Sequence, residues 1–498
     1  MRYLLGLDNG GTMTKAALFD ETGREVATAG RETPLTTPRD GWNERDMEAL
    51  WQANAACIRE VLAKTGVDPV AIAGVGCTGH GKGLYLWGKD GRPAYQGISS
   101  TDRRAEEIVR RWQADGTAER ARGQTLQPVI ACQPVALLRW LKENRPEVLA
   151  GVQWIFECKD YIRFRLTGLA LAEETDYSGT DMMDLNTRRL DEGLMELFGI
   201  GELADRLPPL CRAWDRCGTV TVEAAGQTGL AVGTPVCGGM FDIDACAVAM
   251  GVTAQEQLCM ITGTWSINEY PAPQPVPGDT TTHNSLFCLP GTYLIEESSP
   301  TSAGNLDWYL NTCMQAEKAQ AAADGVRFYD RVDALVEALP PEECHVVFLP
   351  FLYGSNADDV RDAAFAGLSN RCGAAHLLRA IFEGVAFSHR RHLENLLRFR
   401  ARPQRIRLAG GAARSAVWVQ LFADVLQCPI EVVPTKELGA QGCAMAAAVA
   451  AGLYADPAEA IARMVPPVRT VWPDETKKAV YDEKYARYMR LTECLKGF

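Results

Sequence analysis

Asp8 closes a short apolar run, Leu4-Leu5-Gly6-Leu7, and is followed by Asn9-Gly10-Gly11-Thr12-Met13-Thr14-Lys15. Glycine lets backbone approach a bound anion closely, and successive N–H groups in such a turn can point at phosphate oxygens. A carboxylate at the lip of the turn suits Mg²⁺, which takes oxygen ligands and keeps several waters. The same design returns at Gln257-Leu258-Cys259-Met260-Ile261-Thr262-Gly263-Thr264-Trp265-Ser266. Each copy alone reads equally well as a plain β-hairpin, but two of them in two domains could hold a polyphosphate. A further pair of acids, Asp242 and Asp244, heads an alanine-rich run after Gly238-Gly239-Met240-Phe241. A helix needs one side-chain N-cap, so capping accounts for only one of the two.

Polar groups are also gathered in a second glycine-rich stretch. Gly74-Val75-Gly76-Cys77-Thr78-Gly79 spells GxGxxG, and Gly76 through Lys82 spells GxxxxGK. Both motifs place phosphate on the N-terminus of a helix that follows. Here Leu84-Tyr85-Leu86-Trp87 follows, a strand, so both nucleotide readings fail. The loop remains suited to a substrate pocket, with His80 and Lys82 as its polar groups; a histidine bonded to loop backbone is the plain alternative. Asp102, in Ser99-Ser100-Thr101-Asp102-Arg103-Arg104, caps a helix from about Ala105 by default. Gly410-Gly411, between a strand and a helix, lets a flat ligand lie on backbone or simply permits close packing.

These residues need elements to place them. Leu50, Ala53, Cys57 and Val61 give residues 46–64 a helical apolar face, and residues 24–29 and 70–77 read as strands. Leu377, Leu378, Ile381, Phe382 and Val385 mark a long helix; Trp418, Leu421, Phe422 and Val425 mark another; Tyr481, Tyr485, Met489 and Leu495 mark a C-terminal one. Alternating strands and helices give an α/β fold. A chain of 498 residues exceeds one core, which sets about two to four domains. The net charge of -12 argues against a nucleic-acid surface. Asp8 interrupts the N-terminal apolar run before a signal peptide could form. The longest apolar stretch, residues 442–454, is short and alanine-rich, so a packed helix is expected rather than a membrane span. Sixteen cysteines are scattered singly, with no CxxC pair; free thiols in a reducing cytoplasm are the expectation.

Taken in order, the opening hairpin, the 238–249 segment, the Gly263-Thr264 turn and the Gly410-Gly411 turn resemble the FGGY family of carbohydrate kinases over essentially the whole chain. Within it, Gly81-Lys82-Gly83-Leu84, Asp102-Arg103-Arg104-Ala105 and residues 299–306 and 348–356 are most similar to L-xylulose/3-keto-L-gulonate kinases. The resemblance implies a two-domain actin/hexokinase/Hsp70-like (ribonuclease H-like) α/β fold with mixed sheets and an interdomain cleft, divided as 1–245 and 246–498. It implies ATP and Mg²⁺, with Asp8 at the metal and Gly10, Gly11, Thr12, Thr14 and Lys15 in the first phosphate loop. Gly263 and Thr264 belong to the second loop, and Gly410, Gly411 and Ser415 to the nucleotide site. Asp242 falls on the catalytic base, with Asp244 as competitor. His80, Lys82, Asp102, Arg104 and Asp242 fall on the sugar site. The implied partners are sugar and ATP, with no nucleic acid or membrane; a homodimer is allowed for.

Two departures bear on the substrate. Gly11 and Thr12 stand where many relatives have Thr-Ser, and His80-Gly81-Lys82-Gly83 replaces Gln-Met-His-Gly. A cation in place of imidazole weighs against D-xylulose. Lys82 either meets a substrate carboxylate, as 3-keto-L-gulonate would offer, or pairs with a protein acid such as Asp102. The implied activity is phosphorylation of the primary hydroxyl of L-xylulose or 3-keto-L-gulonate. Alternatives are a kinase for D-xylulose, ribulose, erythritol or glycerol, or an actin/Hsp70-like conformational ATPase whose turnover ignores sugar. A sugar binder without catalysis would need damage at Asp8 or Asp242, and both acids are intact.

Overall fold

Leu4, Leu5 and Leu7 are fully buried in strand Tyr3–Asn9, the near-continuous burial of a strand covered on both faces. In the computed structural model, which describes every residue except Thr264, 278–280, Asp359 and Phe498, the chain forms two compact units. The first comprises Met1–Gly251, Pro273–Leu294 and Thr435–Pro466; the second comprises Val252–Ala272, Ile295–Pro434 and Pro467–Phe498. A linear division at 245/246 therefore lies near the first crossing, but two later segments return to the first unit.

The first unit's sheet runs in the order Arg216–Thr219, Pro235–Cys237, Ile72–Gly79, Tyr3–Asn9, Met13–Asp20, Glu25–Glu32, with Met240–Phe241 also paired to Ile72–Gly79. Helix Met47–Thr65 starts on Asp46, whose carboxylate accepts from the Ala49 N–H at 2.8 Å. Its Leu50, Trp51, Ile58 and Val61 join Leu5, Leu7 and Leu18 in one apolar core.

The glycines of the apparent nucleotide motif have a different purpose. Gly6 lies opposite Gly76, and Leu4 opposite Gly74, on adjacent parallel strands. A Cβ at Gly6 would fall 1.9 Å from the Ala440 carbonyl oxygen, at Gly76 2.3 Å from that of Cys443, and at Gly74 2.8 Å from that of Ala447. The three make a trough for helix Leu438–Ala450, whose small residues at 440, 443 and 447 recur at helical spacing. This helix is the alanine-rich stretch, starting four residues before the expected 442.

The second unit repeats the plan. Tyr3–Asn9 pairs antiparallel with Met13–Asp20 and parallel with Ile72–Gly79. Gln257–Thr262 likewise pairs antiparallel with Ser266–Ala272 and parallel with Arg405–Gly410. Helices Ala374–Leu396, Ala416–Leu426 and Lys478–Cys494 accompany this sheet. On the last of them the buried face is Tyr481, Tyr485, Tyr488 and Thr492; Met489 is rotated off it and Leu495 lies past its end. Among the described residues no helix is long and apolar enough to cross a membrane.

Candidate active site

The first phosphate turn is held from below. Asn9 is fully buried; its amide donates to the Thr78 carbonyl at 3.1 Å, and its Oδ1 accepts from Thr14 Oγ1 at 2.9 Å and Asn54 Nδ2 at 2.7 Å. Thr14 thus serves underneath the turn, and its expected place among ligand contacts becomes a positioning one, because its hydroxyl is enclosed. Arg45, absent from the sequence reading, donates to the carbonyls of Gly10 (3.3 Å) and Gly11. With those carbonyls taken, Gly11 and Thr12 stand exposed, and a Cβ at Gly11 would meet nothing within 4 Å. Lys15 is a third exposed and joined to Glu437 at 2.8 Å.

Asp8 lies opposite Lys15 in the hairpin. Burial raises its pKa to about 6, against the lowering pull of Lys15, and Glu437 adds to the rise. Gly439 approaches so closely that a Cβ there would sit 2.9 Å from Asp8 Oδ2. Among the described residues no three His, Cys, Asp or Glu side chains converge to hold a metal.

Asp242 opens helix Asp242–Ala249 at the same sheet edge. Asp8 pairs with Thr78, and Thr78 with Met240; two strand spacings, about 10 Å, separate the outer backbones. Thr78 Oγ1 donates to the Met240 carbonyl at 2.7 Å, and Thr175 Oγ1 accepts from the Phe241 N–H at 3.0 Å. The two acids then part. Asp244 is fully buried and accepts from the Cys288 N–H at 2.8 Å; Asp242 stays half-buried. One carboxylate fastens a returning segment, and the other is reachable.

His80 is buried, with Nε2 3.0 Å from the Tyr85 hydroxyl, and burial together with Arg45 pushes its pKa down to about 3. It is neutral at physiological pH and bonded to a side chain rather than only to backbone. Asp102 does not cap the following helix, Glu106–Ala114, whose N-cap is Ala105. It accepts from Arg104 Nε and Nη2, both at 2.9 Å, and from the Asn43 N–H at 2.7 Å. Arg104 also reaches Glu44 at 2.8 Å and lies over the rings of Trp42 and Trp140 at 4.4 and 5.2 Å. Both side chains of the Asp102–Arg104 pair are fully enclosed. They brace the loop, and Asp102 is therefore not the acid kept for Lys82.

Lys82 occupies left-handed backbone (φ 62°), with Nζ 6.0 Å from the Phe241 ring centroid. Beneath this loop lies an ionic cluster that sequence reasoning missed. Lys159 Nζ meets Asp160 at 3.0 Å, Asp176 at 3.2 Å and Glu173 at 3.3 Å, and Arg163 meets Asp160 at 2.8 Å, all without solvent exposure. A Cβ at Gly81 would strike the Phe241 ring and Asp176 Oδ1, at 2.5 and 2.9 Å. Lys159-Asp160 adjacent to a helical run is the one local signal, and charged helix faces are ordinarily solvated.

In the second unit, Gly410 adopts φ 89° and a Cβ there would lie 2.4 Å from the Thr262 carbonyl oxygen. The Gly411 N–H donates to that oxygen at 2.7 Å, and the Ala412 N–H to Thr262 Oγ1 at 3.1 Å. The glycine pair is thereby folded onto the strand that ends at Thr262. Thr264, expected in the second loop, lies outside the described residues. Ser415 is the N-cap of helix Ala416–Leu426: its Oγ accepts from the Trp418 N–H at 3.0 Å and donates to Asp333 at 2.8 Å. Its hydroxyl is engaged in capping. Buried His389, bonded to Asn268 (2.7 Å) and Ser302 (2.9 Å), ties the long helix to the hairpin strand and was not foreseen.

A doubled hairpin-plus-parallel-strand plan with acids at the strand ends is the plan of the actin/hexokinase-like class. The chain belongs to the FGGY family of carbohydrate kinases, whose N-terminal domain matches residues 3–249 and C-terminal domain residues 258–451. It is 38% identical to the L-xylulose/3-keto-L-gulonate kinase of Escherichia coli (strain K12), over 100% of this chain and 98% of that protein. A xylulose kinase structure from Rhodospirillum rubrum superimposes with a TM-score of 0.86 at 28% identity, over 99% of each chain. A ligand-bound xylulose kinase from Lactobacillus acidophilus, 23% identical, shares the fold with a TM-score of 0.89 over 100% of this chain and 99% of that one.

Proposed function

We propose that this kinase transfers the γ-phosphoryl group of ATP to the primary hydroxyl of a ketopentose or its sugar-acid analogue, with L-xylulose and 3-keto-L-gulonate as the leading substrates. The observation that carries the reading is the division of labour between Asp242 and Asp244. Asp244 is fully buried and accepts from the Cys288 N–H, whereas Asp242 is half-buried and within reach of a substrate, so the role of base goes to Asp242. As the sugar oxygen bonds to the γ-phosphorus, Asp242 takes the hydroxyl proton and the bond to the ADP oxygen breaks. Positioning and charge neutralisation supply most of the rate in such a transfer.

Gly10, Gly11, Thr12 and Lys15 contact phosphates in this scheme, Gly263 and Thr264 complete the phosphate contacts, and Gly410 and Gly411 take the adenosine. Asp8 would hold Mg²⁺, which would neutralise phosphate charge; its raised pKa (to about 6) marks a carboxylate short of positive charge. His80 and Lys82 face the sugar, and Asp102, Arg104 and Thr14 hold loops in place. Among the described residues no disulfide joins any of the sixteen cysteines, which supports a reducing, cytoplasmic setting.

The test is sugar-dependent ADP release by the wild type and by Asp242→Asn. The expected loss in kcat is about 10²- to 10⁴-fold, with an unchanged melting temperature. Full activity in the variant would remove Asp242 from its role, and ATP turnover indifferent to every sugar would favour a conformational ATPase.

A further inference from the structure

The peptide group immediately before Asp242 is held at both ends. Thr78 Oγ1 donates to the Met240 carbonyl at 2.7 Å, and Thr175 Oγ1 accepts from the Phe241 N–H at 3.0 Å. That carbonyl and that N–H belong to one planar peptide unit. Both threonines are fully buried. Their hydroxyls come from separate elements, strand Ile72–Gly79 and the short helix Glu174–Tyr177. The helix that carries Asp242 begins directly after this unit, and its N-cap residue, Phe241, supplies no side-chain cap of its own.

The Thr175 hydroxyl is kept in its orientation. A hydroxyl has a single proton, and Thr175 donates it to Glu173 Oε2 at 2.7 Å, which leaves its lone pairs for the Phe241 N–H. Glu173 is itself fixed: it is fully buried, accepts from the Thr175 N–H at 3.1 Å and lies 3.3 Å from Lys159 Nζ. The same ionic cluster reaches the approach to Asp242 a second time, because Arg163 donates to the Gly238 carbonyl. Enclosing such a cluster is weak evidence for stability, since desolvation opposes the attraction between its members. Its contacts with residues 238 and 241 supply a different reason for it, a rigid footing under the segment that ends at the base.

We propose that Thr175 and Thr78 are positioning residues for phosphoryl transfer: together they fix the Met240–Phe241 peptide plane, so that the Asp242 carboxylate stands where it takes the proton of the acceptor hydroxyl. Glu173 and Lys159 keep the Thr175 hydroxyl turned towards that plane. Both threonines act through Asp242, since neither side chain reaches solvent. The proposal rests on the kinase reading, with Asp242 as base. A peptide plane released at one end tilts about the bonds that flank it, and a misplacement of about 1 Å at a reacting group costs about 10²-fold in rate.

The experiment measures kcat and KM for ADP release with L-xylulose and with 3-keto-L-gulonate. The proteins are wild type, Thr175→Val, Thr175→Ser, Thr78→Val, Thr78→Ser, Asp242→Asn and the Thr175→Val/Asp242→Asn double variant. Valine keeps the shape of threonine and removes the hydroxyl. Each valine variant is expected to lose about ten- to hundredfold in kcat, with KM for sugar and for MgATP within about twofold of wild type. Each serine variant recovers most of that loss, and on the Asp242→Asn background Thr175→Val lowers kcat no further. Wild-type kcat in either valine variant would overturn the proposal, as would a full additional loss on the Asp242→Asn background. Unfolding of both valine variants would also overturn it, by making the hydroxyls structural. An impaired Asp242→Asn beside fully active valine variants leaves the kinase reading standing without the clamp. A fully active Asp242→Asn removes the base and the clamp together.

Discussion

Asp8 shows how a functional carboxylate is held against its own solvation. Its folded pKa, raised to about 6, exceeds the unfolded value of about 3.9. Below pH ~4 both states are protonated and Asp8 contributes no penalty. As pH climbs through 6 the unfolded chain ionises first, so stability falls, and the deficit persists above pH 6. Asp8→Asn is therefore expected to melt a few degrees higher than wild type at pH 8 and equally at pH 4, while losing kinase activity. Thermal melts at the two pH values check this; a variant less stable at pH 8 would contradict the stated sign. Sequence alone marked Asp8, Asp242, His80 and Lys82 as worth chemistry. It could not separate Asp242 from Asp244 by local pattern, because the full burial of Asp244 against the distant Cys288 N–H arises only on folding.

At the scale of elements, backbone proximity governs the site. Helix Leu438–Ala450 lies in a glycine trough on two strands and brings Gly439 against Asp8. Gly439→Ala would push its new Cβ onto Asp8 Oδ2. The expected result is a KM for MgATP raised about tenfold or more, with a small change in melting temperature. Gly76→Ala would instead meet the Cys443 backbone oxygen at 2.3 Å, which cannot yield as a flexible side chain does. A loss of about 3 kcal/mol or more, or insoluble protein, is expected. Steady-state kinetics and urea melts separate the two outcomes; equal effects on KM and stability from both variants would refute this division. The sequence-level rejection of a dinucleotide loop holds, since loop and strand follow Gly79. The purpose of those glycines was hidden, because their partner helix is more than 350 residues away.

Across the whole molecule, the first unit is discontinuous. Its sheet is covered by a segment that follows most of the second unit in sequence. A fragment of residues 1–251 should expose the glycine trough and behave as a molten, aggregating species without near-ultraviolet circular dichroism. A chimera of 1–294 joined by a flexible linker to 435–466 should recover cooperative unfolding. A stable, cooperative 1–251 fragment would show that the returning helix is dispensable.

The chain's own order of residues determined the two hairpins, their glycine turns, the strand–helix alternation and the carboxylates at strand ends, because each is a local pattern of period and turn chemistry. Tertiary structure decided which hydroxyls and charges are already engaged: Thr14 beneath its turn, Ser415 on its helix, Asp102 on Arg104. Those assignments depend on groups brought together by folding over tens to hundreds of residues, and no spacing along the chain encodes which of two similar side chains will be sealed inside.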